Sequence, residues 1–498
     1  MTGRRYTYGQ ARGLSHHISV VLPHYLGLKT GDVIAMVVPN MPEFPIIFLG
    51  AASAGLIVSP ANPLYTQSEL ARQFCETKVR AVVTVPPLLE KVQAALEEVP
   101  GSGGPVVVIG GPSAPKKNQI GFEDLIQKRV VGDSILEHPD PDCIACLPFS
   151  SGTTGLPKGV MLTHRNMVAN LCQIEHPEVS PPLPEGFDQD RILAILPFFH
   201  IYGMNGVMNM SLLHGRSILT LPKFEAQSFS EAFAKFKPTV LAIVPPLCAF
   251  IAQSPTISPQ DLSMVRFVTC GAAAAPPATV QQFIRKANSK KLNFKEGYGM
   301  TESSCLATSP PSSAPMEDRV DTVGVPIPNT EVKVVDKEGN ALPMGEIGEI
   351  LVRGPQIMKG YFRNEQATKE SLTEDNWLRT GDIGYFRQNG YISLVDRVKE
   401  MIKVKGLQVS PTELESILNT MEGVADVAVA AVPDEACGEV PRAYVVKGKD
   451  SFLTEEDVIK FLKPQVAQFK QLKGGVRFVS AIPKNAAGKI LRAELKNL

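Results

Sequence analysis

Apolar residues occur in short continuous runs along much of this chain, and segments with a helical pattern lie between them. Six such runs occupy residues 80–85, 105–110, 191–196, 217–221, 239–244 and 266–270. They do not alternate apolar with polar positions, which is typical of strands buried on both faces of a parallel sheet. Segments 67–78, 228–237 and 278–289 carry the spacing of amphipathic helices. This alternation predicts βαβ units and an α/β fold.

The hydrophobic pattern changes from about residue 330 onward. Segments 330–336, 345–354 and 390–396 alternate more strongly and are separated by turn-forming residues, which predicts antiparallel strands. Further on, a helix over 410–421, a strand over 424–434 and a helix over 454–469 predict a compact α+β unit. We therefore expect a boundary near Asp396.

Composition sets the broad class of the protein. The chain has 498 residues, of which 44% are apolar and 20% charged, so it can build a large core. The formal net charge is zero, which argues against a nucleic-acid partner. Cys143 and Cys146 form a CxxC pair with no second pair at zinc-site spacing, and the eight scattered cysteines suit a reducing compartment. The apolar stretch 46–58 is too short to span a bilayer, so no integral membrane segment is expected.

Residues 150–160, SSGTTGLPKGV, combine glycines, hydroxyl side chains and one lysine. Glycines allow backbone N–H groups to approach an anion closely, while hydroxyls and a cation add further donors. The order differs from the common phosphate loop, in which Gly-Lys is followed directly by Ser or Thr. The stretch nevertheless predicts a phosphate-binding loop, with these candidate residues: Ser150, Ser151, Gly152, Thr153, Thr154, Gly155 and Lys158.

This stretch and seven further blocks, in the same order, resemble the signatures of the adenylate-forming superfamily, which includes acyl-CoA synthetases, 4-coumarate–CoA ligases and luciferases. The further blocks are 197–203 (PFFHIYG), 271–276 (GAAAAP), 296–302 (EGYGMTE), 348–354 (GEILVRG), 379–385 (RTGDIGY), 396–406 (DRVKEMIKVKG) and 483–490 (PKNAAGKI). The resemblance covers essentially the whole chain. It implies a large N-terminal domain (1–395) of βαβ subdomains plus a small β-barrel, a hinge (396–399), and a small mobile C-terminal α+β domain (400–498).

The resemblance also implies an ATP site. Lys489 would bridge the carboxylate and the α-phosphate, Glu302 would hold Mg²⁺, and Thr301 would donate to the α-phosphate. Asp382 would accept the ribose hydroxyls and Arg397 would reach the ribose or phosphate. Tyr298 would stack on adenine, beside Ala272, Glu296 and Gly297. Taken singly, such residues are more often structural or solvated; the matching blocks give them these roles.

The acyl and CoA sites follow from the same resemblance. His200 would lie beside the acyl carboxylate, with these residues around the acyl group: Tyr202, Gly206, Gly271, Gly297 and Gly299. A hinge containing Asp396, Arg397 and Lys399 would let the small domain rotate after adenylation. Rotation would remove Lys489 and bring up a face that holds Lys403, Lys405, Gly406 and Gln408, along the path of the pantetheine arm.

Some positions depart from the family pattern. Glu296 replaces a usual glutamine and Ala274 a usual proline, which puts the acyl specificity in question more than the activity. Leu351 stands where plant coumarate ligases have cysteine. The block YTYGQ begins at Tyr6, so the usual first few tens of residues are expected to be lacking.

The resulting hypothesis is an acid–thiol ligase, similar to 4-coumarate–CoA ligase, that uses ATP, Mg²⁺ and CoA to convert a carboxylic acid to its acyl-CoA. A luciferase-like oxygenase, a carrier-loading adenylation domain and a truncated inactive nucleotide-binding protein are the alternatives. We expect a cytoplasmic monomer or weak homodimer. A peroxisomal location is the alternative, although the terminal LKNL is not the Ser-Lys-Leu signal.

Overall fold

The computed structural model describes residues 3–100, 104–111, 118–129, 139–150, 157–289, 292–397, 400–404, 407–434, 437–485, 488–495 and 498. Most of the predicted phosphate loop (151–156) lies outside these ranges, as do Lys399, Lys405 and Gly406. The side chains of Arg397 and Gln408 are also outside the description, although their backbones belong to strands.

The described helices and strands follow one another along the whole chain. The α-helices are α1 (Tyr8–Leu26), α2 (Glu43–Ser53), α3 (Gln67–Thr77), α4 (Pro86–Glu97), α5 (Phe122–Leu125), α6 (His164–Glu175), α7 (Met210–Leu213), α8 (Ala226–Phe236), α9 (Pro245–Gln253), α10 (Pro259–Leu262), α11 (Pro277–Ala287), α12 (Glu365–Ser371), α13 (Pro411–Leu418), α14 (Glu455–Leu462) and α15 (Arg492–Leu495). The strands up to residue 296 are β1 (Val33–Val37), β2 (Ile57–Pro60), β3 (Ala81–Thr84), β4 (Val106–Val108), β5 (Gln119–Gly121), β6 (Ile144–Cys146), β7 (Phe149–Ser150), β8 (Lys158–Thr163), β9 (Arg191–Ala194), β10 (Ser217–Thr220), β11 (Val240–Ile243), β12 (Phe267–Cys270) and β13 (Asn293–Glu296). The later strands are β14 (Thr308–Ser309), β15 (Val325–Pro326), β16 (Glu331–Val335), β17 (Gly348–Arg353), β18 (Gly360–Tyr361), β19 (Leu378–Phe386), β20 (Ile392–Arg397), β21 (Ile402–Val404), β22 (Leu407–Val409), β23 (Val424–Asp434), β24 (Gly438–Lys447) and β25 (Val476–Phe478).

Two largely parallel sheets form the large N-terminal domain. In the first, the order is β18-β8-β6-β2-β1-β3-β4-β5, with β7 paired to β8, and the pairs from β2 to β5 are parallel. The second has the order β10-β9-β11-β12-β13, and all of its pairs are parallel. All six apolar runs became strands of these sheets, which confirms the α/β prediction. Many of their buried side chains share one hydrophobic cluster, while Val82, Val106 and Val108 pack in a second cluster with α3 and α4.

Local sequence explains where several of these helices begin. Thr66 caps α3 by accepting from the N–H of Glu69, whose carboxylate accepts from the backbone N–H of Thr66. The same reciprocal arrangement starts α6 at Thr163, immediately after β8. A side-chain oxygen at such a position satisfies an N–H that would otherwise lack a partner. The predicted helices 67–78, 228–237 and 278–289 correspond to α3, α8 and α11 within two residues or so.

The alternating segments after residue 330 form an antiparallel sheet with the order β16-β17-β19-β20. In the described residues, β16 and β20 stand at the two ends of this order, in the region where a small β-barrel is expected. Backbone hydrogen bonds from Val323 to Ile392 and from Ile392 to Gly324 join β20 to the segment before β15.

The C-terminal domain is built on a smaller sheet with the order β22-β21-β24-β23, with β25 paired to β24. Most of its buried apolar residues between Ile402 and Val476 form one cluster with α13 and α14, whereas Ala428, Ala430 and Tyr444 pack in another. The predicted helix over 454–469 is shorter, because α14 ends at Leu462 and a 3₁₀ turn containing Pro464 follows. Proline interrupts the helical hydrogen bonds there. Among the described helices, none is both long and apolar enough to cross a membrane.

Candidate active site

A cavity of about 760 Å³ lies between the two domains. The second parallel sheet contributes the loops that follow its strands, which is where ligands bind in open α/β sheets. The predicted residues on the cavity wall are Ser150, His200, Tyr202, Gly206, Gly271, Ala272, Gly297, Gly299, Thr301, Glu302 and Lys489. Thus the structure brings together residues from the blocks at 150–160, 197–203, 271–276, 296–302 and 483–490.

Glu302 lies in a 3₁₀ turn after β13 and is only 7% exposed. Its Oε1 accepts hydrogen bonds from the Ser150 hydroxyl at 2.6 Å and the Tyr361 hydroxyl at 2.9 Å. Among the described residues, no group donates a hydrogen bond to Oε2. Two donors therefore orient the carboxylate and leave one oxygen available, which fits a Mg²⁺ ion that takes one protein carboxylate, phosphate oxygens and water.

The part of the chain that the structure describes contains no cluster of metal-ligating side chains that would compete with Glu302 for a metal ion. That part contains no group of three or more His, Cys, Asp or Glu side chains arranged as metal ligands. Glu302 is thus a suitable carboxylate for a magnesium–nucleotide site, and a resident metal centre built only from protein ligands is not observed in the described ranges.

Tyr361 connects Glu302, the candidate Mg²⁺ ligand, to Lys158 of the predicted phosphate loop. Lys158 Nζ lies 4.9 Å from the centre of the Tyr361 ring, at the point where β8 begins. Burial and the neighbouring Glu302 carboxylate raise the pKa of Tyr361, so its hydroxyl keeps its proton and remains a donor. The aromatic face holds the Lys158 cation near the end of the loop. Residues 151–155 of that loop lie outside the described residues.

Tyr298 and Asp382 bind each other directly. The Tyr298 hydroxyl donates to Asp382 Oδ2 at 2.6 Å, and both residues are less than 8% exposed. Asp382 lies in β19, where its backbone is opposite Arg397 at the end of β20. Tertiary structure therefore brings the predicted adenine, ribose and phosphate partners to one place, although the blocks are far apart in sequence.

Glu296 does not line the cavity among the described residues, unlike its neighbour Gly297. Its Oε2 accepts from the backbone N–H of Ala275 at 3.0 Å, and the side chain is almost fully buried. Burial raises the pKa of Glu296 to about 7. The contact of Glu296 with the nucleotide stays a prediction, and in this arrangement its carboxylate holds the 271–276 block in position from behind the cavity wall.

Lys489 reaches the cavity from a turn of the C-terminal domain. Asn485 closes the turn twice, since its N–H donates to the Lys489 carbonyl and its Oδ1 accepts from the Lys489 N–H, both at 2.9 Å. Gly488 has φ +79°, and a Cβ on it would lie 3.2 Å from Pro246 of the N-terminal domain. A glycine at this position permits both the left-handed conformation and the close contact between domains.

His200 and Tyr202 begin the acyl side of the cavity. The Tyr202 backbone N–H donates to His200 Nδ1 at 3.3 Å, which assigns the imidazole proton to Nε2. Burial lowers the pKa of His200 to about 4, so the ring is neutral at physiological pH. The Tyr202 hydroxyl interacts with both the carbonyl and the hydroxyl of Thr269 at 3.0 Å.

A π-helix spans Tyr202–Asn209 and sets the width of the cavity. A Cβ at Gly206 would lie 2.9 Å from Cys305 Sγ and 3.0 Å from Tyr202 Cδ2. Any larger residue at Gly206 would therefore displace its neighbours, and the predicted importance of small residues here has a steric basis. π-Helical segments are uncommon and are frequent at functional sites.

The predicted CoA-binding face lies elsewhere in this arrangement. Lys403 is exposed on β21, its backbone N–H donates to Glu439 Oε2 at 2.9 Å, and it does not contribute to the cavity wall. Asp396, at the predicted hinge, accepts from the Ser410 hydroxyl at 2.6 Å and the Thr412 N–H at 3.1 Å. The first residues of α13 are thus tied to the end of β20.

Several residues on the cavity wall were not predicted from the sequence. They are Tyr361, Ser180, Met210, Arg216, Thr269, Lys295 and Cys305. Lys295 is buried in β13 and a buried lysine is costly unless it has hydrogen-bonding partners, but the sequence of that strand, Asn-Phe-Lys-Glu, does not show the burial. Tyr361 and Arg216 follow no motif, and only the packing reveals their position.

Comparison with known proteins is consistent with this geometry. The model of the AMP-binding enzyme family matches residues 1–362, and that of the AMP-binding enzyme C-terminal domain matches residues 413–489. The chain is 39% identical to 4-coumarate–CoA ligase CCL1 of Humulus lupulus over 504 residues, covering 99% of this chain and 89% of that protein. It is also 39% identical to 4-coumarate–CoA ligase 1 of Arabidopsis thaliana over 502 residues, covering 99% and 88%.

Solved structures share the fold over nearly the whole chain. ATP-bound MatB from Rhodopseudomonas palustris superposes with a TM-score of 0.87 at 28% identity, covering 98% of this chain and 93% of that one. A benzoate CoA ligase from Burkholderia xenovorans LB400 gives a TM-score of 0.86 at 26% identity, covering 98% and 94%. The two-domain arrangement is therefore shared with structures of CoA ligases.

Proposed function

The chain belongs to the AMP-binding enzyme family, and on that premise we propose that it activates a carboxylic acid and passes the acyl group to CoA, as 4-coumarate–CoA ligases do. It is an ATP-dependent, AMP-forming acyl-CoA synthetase. The observation that carries this function is that Lys489, from the C-terminal domain, and Thr301 and Glu302, from the N-terminal domain, line one cavity.

Adenylation joins two anions, and the proposed residues offset their repulsion. A carboxylate oxygen attacks the α-phosphorus of ATP, and pyrophosphate leaves with the electron pair of the broken P–O bond. Lys489 would bridge the carboxylate and the α-phosphate, and Thr301 would donate to a phosphate oxygen. Fixed donors and cations at the point of developing charge are the main source of catalysis in such reactions.

The magnesium ion would be held by Glu302 through Oε2, while Ser150 and Tyr361 keep Oε1 occupied. When bound, the ion would supply charge neutralisation on the phosphates. Lys158 would contribute a second positive charge at the end of the phosphate loop. Asp382 would accept from the ribose hydroxyls, because an ionised carboxylate has about four lone-pair sites on its two oxygens.

His200 would act as a neutral hydrogen-bond donor rather than as a cation. With its Nδ1 occupied by the Tyr202 N–H, Nε2–H can donate to the carboxylate or carbonyl oxygen of the acid. A neutral ring can also move aside without losing an ion pair. We propose that this lets the thiol reach the acyl carbon in the second step.

Thioester formation requires a different set of residues. The CoA sulfur attacks the acyl carbon, the acyl–phosphate C–O bond breaks, and AMP leaves. Because Lys403 is exposed and away from the cavity in this arrangement, rotation about residues 396–399 would be needed to bring it and the 405–408 segment to the site. Separating two steps by domain movement allows each step its own surroundings.

The finer assignments are also proposals. The domains would be 1–395 and 400–498, and the enzyme would work in the cytoplasm as a monomer or weak homodimer. The eight cysteines are all free, which suits a reducing compartment. Light scattering after size-exclusion chromatography and imaging of a tagged protein would test these two assignments.

Acid-dependent ATP–pyrophosphate exchange tests the first step, and acyl-CoA formation tests the second. We expect both activities with at least one acid from a panel of cinnamates and medium- and long-chain fatty acids. Reactions without acid serve as the control. If no acid promotes exchange, the proposal is wrong; light emission with luciferin and ATP would instead indicate an oxygenase.

A further inference from the structure

The cavity extends from the ATP motifs toward the opposite edge of the second parallel sheet. Gly271 and Gly297 directly follow the carboxyl ends of β12 and β13, whereas Val240 and Phe267 are the first residues of β11 and β12, and all four line the cavity. Strand register aligns Val240 with Phe267, so both belong to one edge. The acyl side of the cavity therefore runs along the strands, away from the phosphates.

Arg216 lies at this distant edge, immediately before β10, and is 3% exposed while lining the cavity. Its Nη2 donates to the Ser180 hydroxyl at 3.3 Å, and this is the only hydrogen bond that its side chain makes to a described residue. The buried Nε has no hydrogen-bond acceptor. A guanidinium has five N–H donors, so most of the donors of Arg216 have no acceptor among the described residues.

Asp190 does not compensate this cation fully. Its Oδ2 lies 3.9 Å from Arg216 Nε, beyond hydrogen-bond distance. Both carboxylate oxygens already accept from Arg266, and Oδ1 also accepts from the Thr239 hydroxyl at 2.7 Å. Two arginines therefore share one carboxylate, and this buried cluster carries an excess positive charge. Burial lowers the pKa of Arg216 to about 10, which still leaves it protonated at neutral pH.

The other charged groups nearby do not balance Arg216. Lys295 Nζ is satisfied by the carbonyls of Glu178 and Val179 and by the Ser312 hydroxyl, at 2.7–2.8 Å. Burial lowers the pKa of Lys295 to about 7, and burial also lowers the pKa of His214. An incompletely paired buried cation is costly, and a carboxylate is the group that a guanidinium binds best.

We propose that Arg216 determines acid specificity by binding a second carboxylate, so that the preferred substrates are dicarboxylic acids. This inference rests on the proposed function, because it concerns the acid that the enzyme activates. One carboxylate reacts beside Lys489, and the other lies at the distant edge of the sheet against Arg216. The Ser180 hydroxyl holds the guanidinium in place and belongs to the same wall.

Matched acids test the inference on the wild-type enzyme. Cinnamate and 4-carboxycinnamate share one skeleton and differ in the distal carboxylate, as hexanoate and adipate do in an aliphatic pair. In at least one pair, kcat/KM for acyl-CoA formation is expected to favour the diacid about 10- to 100-fold, the range for a hydrogen bond to a charged group. A preference for the monoacid in both pairs overturns the inference.

Arg216→Met tests the residue itself. It should lower kcat/KM for the diacid about 10- to 100-fold and leave kcat/KM for the monoacid within about 3-fold of wild type. Arg216→Lys should give a diacid value between those of the wild type and Arg216→Met, because lysine keeps the charge but not the pair of parallel N–H donors of a guanidinium. Arg285→Met, at an exposed arginine of α11, is the matched control and should change neither value. Equal losses for both acids in Arg216→Met overturn the assignment.

Two kinds of failure can be distinguished. If the wild type promotes pyrophosphate exchange with no acid, the proposed function is wrong. If the wild type activates monoacids and shows no preference for diacids, the inference about Arg216 and dicarboxylic acids is wrong and the proposed function stands. Should Arg216→Met fail to fold, as judged from its thermal unfolding, the wild-type acid pairs and Arg216→Lys still decide the question.

Discussion

The hydroxyl of Ser150 lies 2.6 Å from Oε1 of Glu302, although 152 positions separate the two residues in the sequence. Ser150 ends the short strand β7, just before the phosphate loop, and Glu302 lies in the turn after β13. This contact joins the first and second sheets at the candidate phosphate site. It also orients the carboxylate so that one of its oxygens is available to a metal ion.

Glu302→Gln should weaken the affinity of the enzyme for Mg²⁺. The amide keeps the shape of the side chain but removes the charge, so the Mg²⁺ concentration for half-maximal exchange should rise and the maximal rate should fall about 100-fold. ATP–pyrophosphate exchange across a Mg²⁺ titration measures both. Glu338→Gln, at an exposed position, is the control. An unchanged Mg²⁺ titration would exclude Glu302 as a ligand.

Lys489→Ala should separate the two half-reactions. We expect adenylation to fall by about 1,000-fold, because a cation between two anions is lost, while thioester formation from supplied acyl-adenylate stays near wild type. Rapid-quench assays of each half-reaction provide the measurement. Lys473→Ala, an exposed lysine of the same domain, should change neither. Equal losses in both half-reactions would contradict the role of Lys489.

Asp382→Ala should raise the KM for ATP about 10- to 100-fold and change the KM for the acid little. The carboxylate is expected to accept from the ribose hydroxyls, and hydrogen bonds to charged groups have this magnitude. Tyr298→Phe keeps the ring and removes only the donor to Asp382, so its effect should stay within about 5-fold. A comparable rise of both KM values would indicate a structural role for Asp382 instead.

Glu296→Gln should stabilise the protein at alkaline pH. Burial raises the pKa of Glu296 to about 7 from an ordinary value of 4.5, so the folded state holds the proton more tightly than the unfolded state. That stabilisation is complete below pH 4.5 and is lost as the pH rises to 7. The variant should therefore unfold with a free energy roughly 3 kcal/mol higher at pH 8.5 and under about 1 kcal/mol higher at pH 5.

Urea unfolding at the two pH values measures this difference. The amide oxygen of the variant can still accept from the Ala275 N–H, so that hydrogen bond is not a confounding loss. An equal difference at both pH values would show that the ionisation of Glu296 is not the cause.

Arg492→Met should destabilise the C-terminal domain. Arg492 pairs with both oxygens of Glu415, with Glu400 at 2.9 Å and with the Val429 carbonyl at 2.9 Å. Glu415 is 6% exposed, so removing the arginine leaves a buried carboxylate without its cation. We expect a loss of about 3–5 kcal/mol in the unfolding free energy of this domain.

Thermal or urea unfolding checks this expectation. Hydrogen exchange of backbone amides in the C-terminal domain then shows whether the loss of stability lies in that domain. Adding Glu415→Gln to Arg492→Met removes the unpaired charge and should recover part of the loss. If the double variant is no more stable than Arg492→Met, the buried charge is not the origin of the effect.

Much of the fold was predictable because the deciding signals are local. Continuous apolar runs such as 239–244 and 266–270 became parallel strands, since residues buried on both faces of a sheet need no polar side. The predicted helix over 454–469 was too long. The helical spacing of apolar residues continues past Pro464, but proline interrupts the helical hydrogen bonds of the backbone there. The arrangement of the strands after residue 330 depends on how they pair, and pairing is not a local property.

The site was predictable in part for the same reason. Thr301, Glu302 and Lys489 belong to motif blocks whose chemistry is contained in a few neighbouring residues. In contrast, Tyr361 and Arg216 belong to no motif, and they reach the cavity because of sheet register and domain packing. For Glu296, only the packing shows that the side chain accepts a hydrogen bond from Ala275 behind the cavity wall.

By itself, the sequence determined the family, the reaction class and most of the strands, because those depend on short patterns of residue types. The tertiary structure decided which carboxylate oxygen of Glu302 is available, how Gly206 limits the cavity, and that an incompletely paired Arg216 lies at its distant edge. These relationships join residues that are far apart in the chain. Their contacts follow from strand register and packing, which no local pattern encodes.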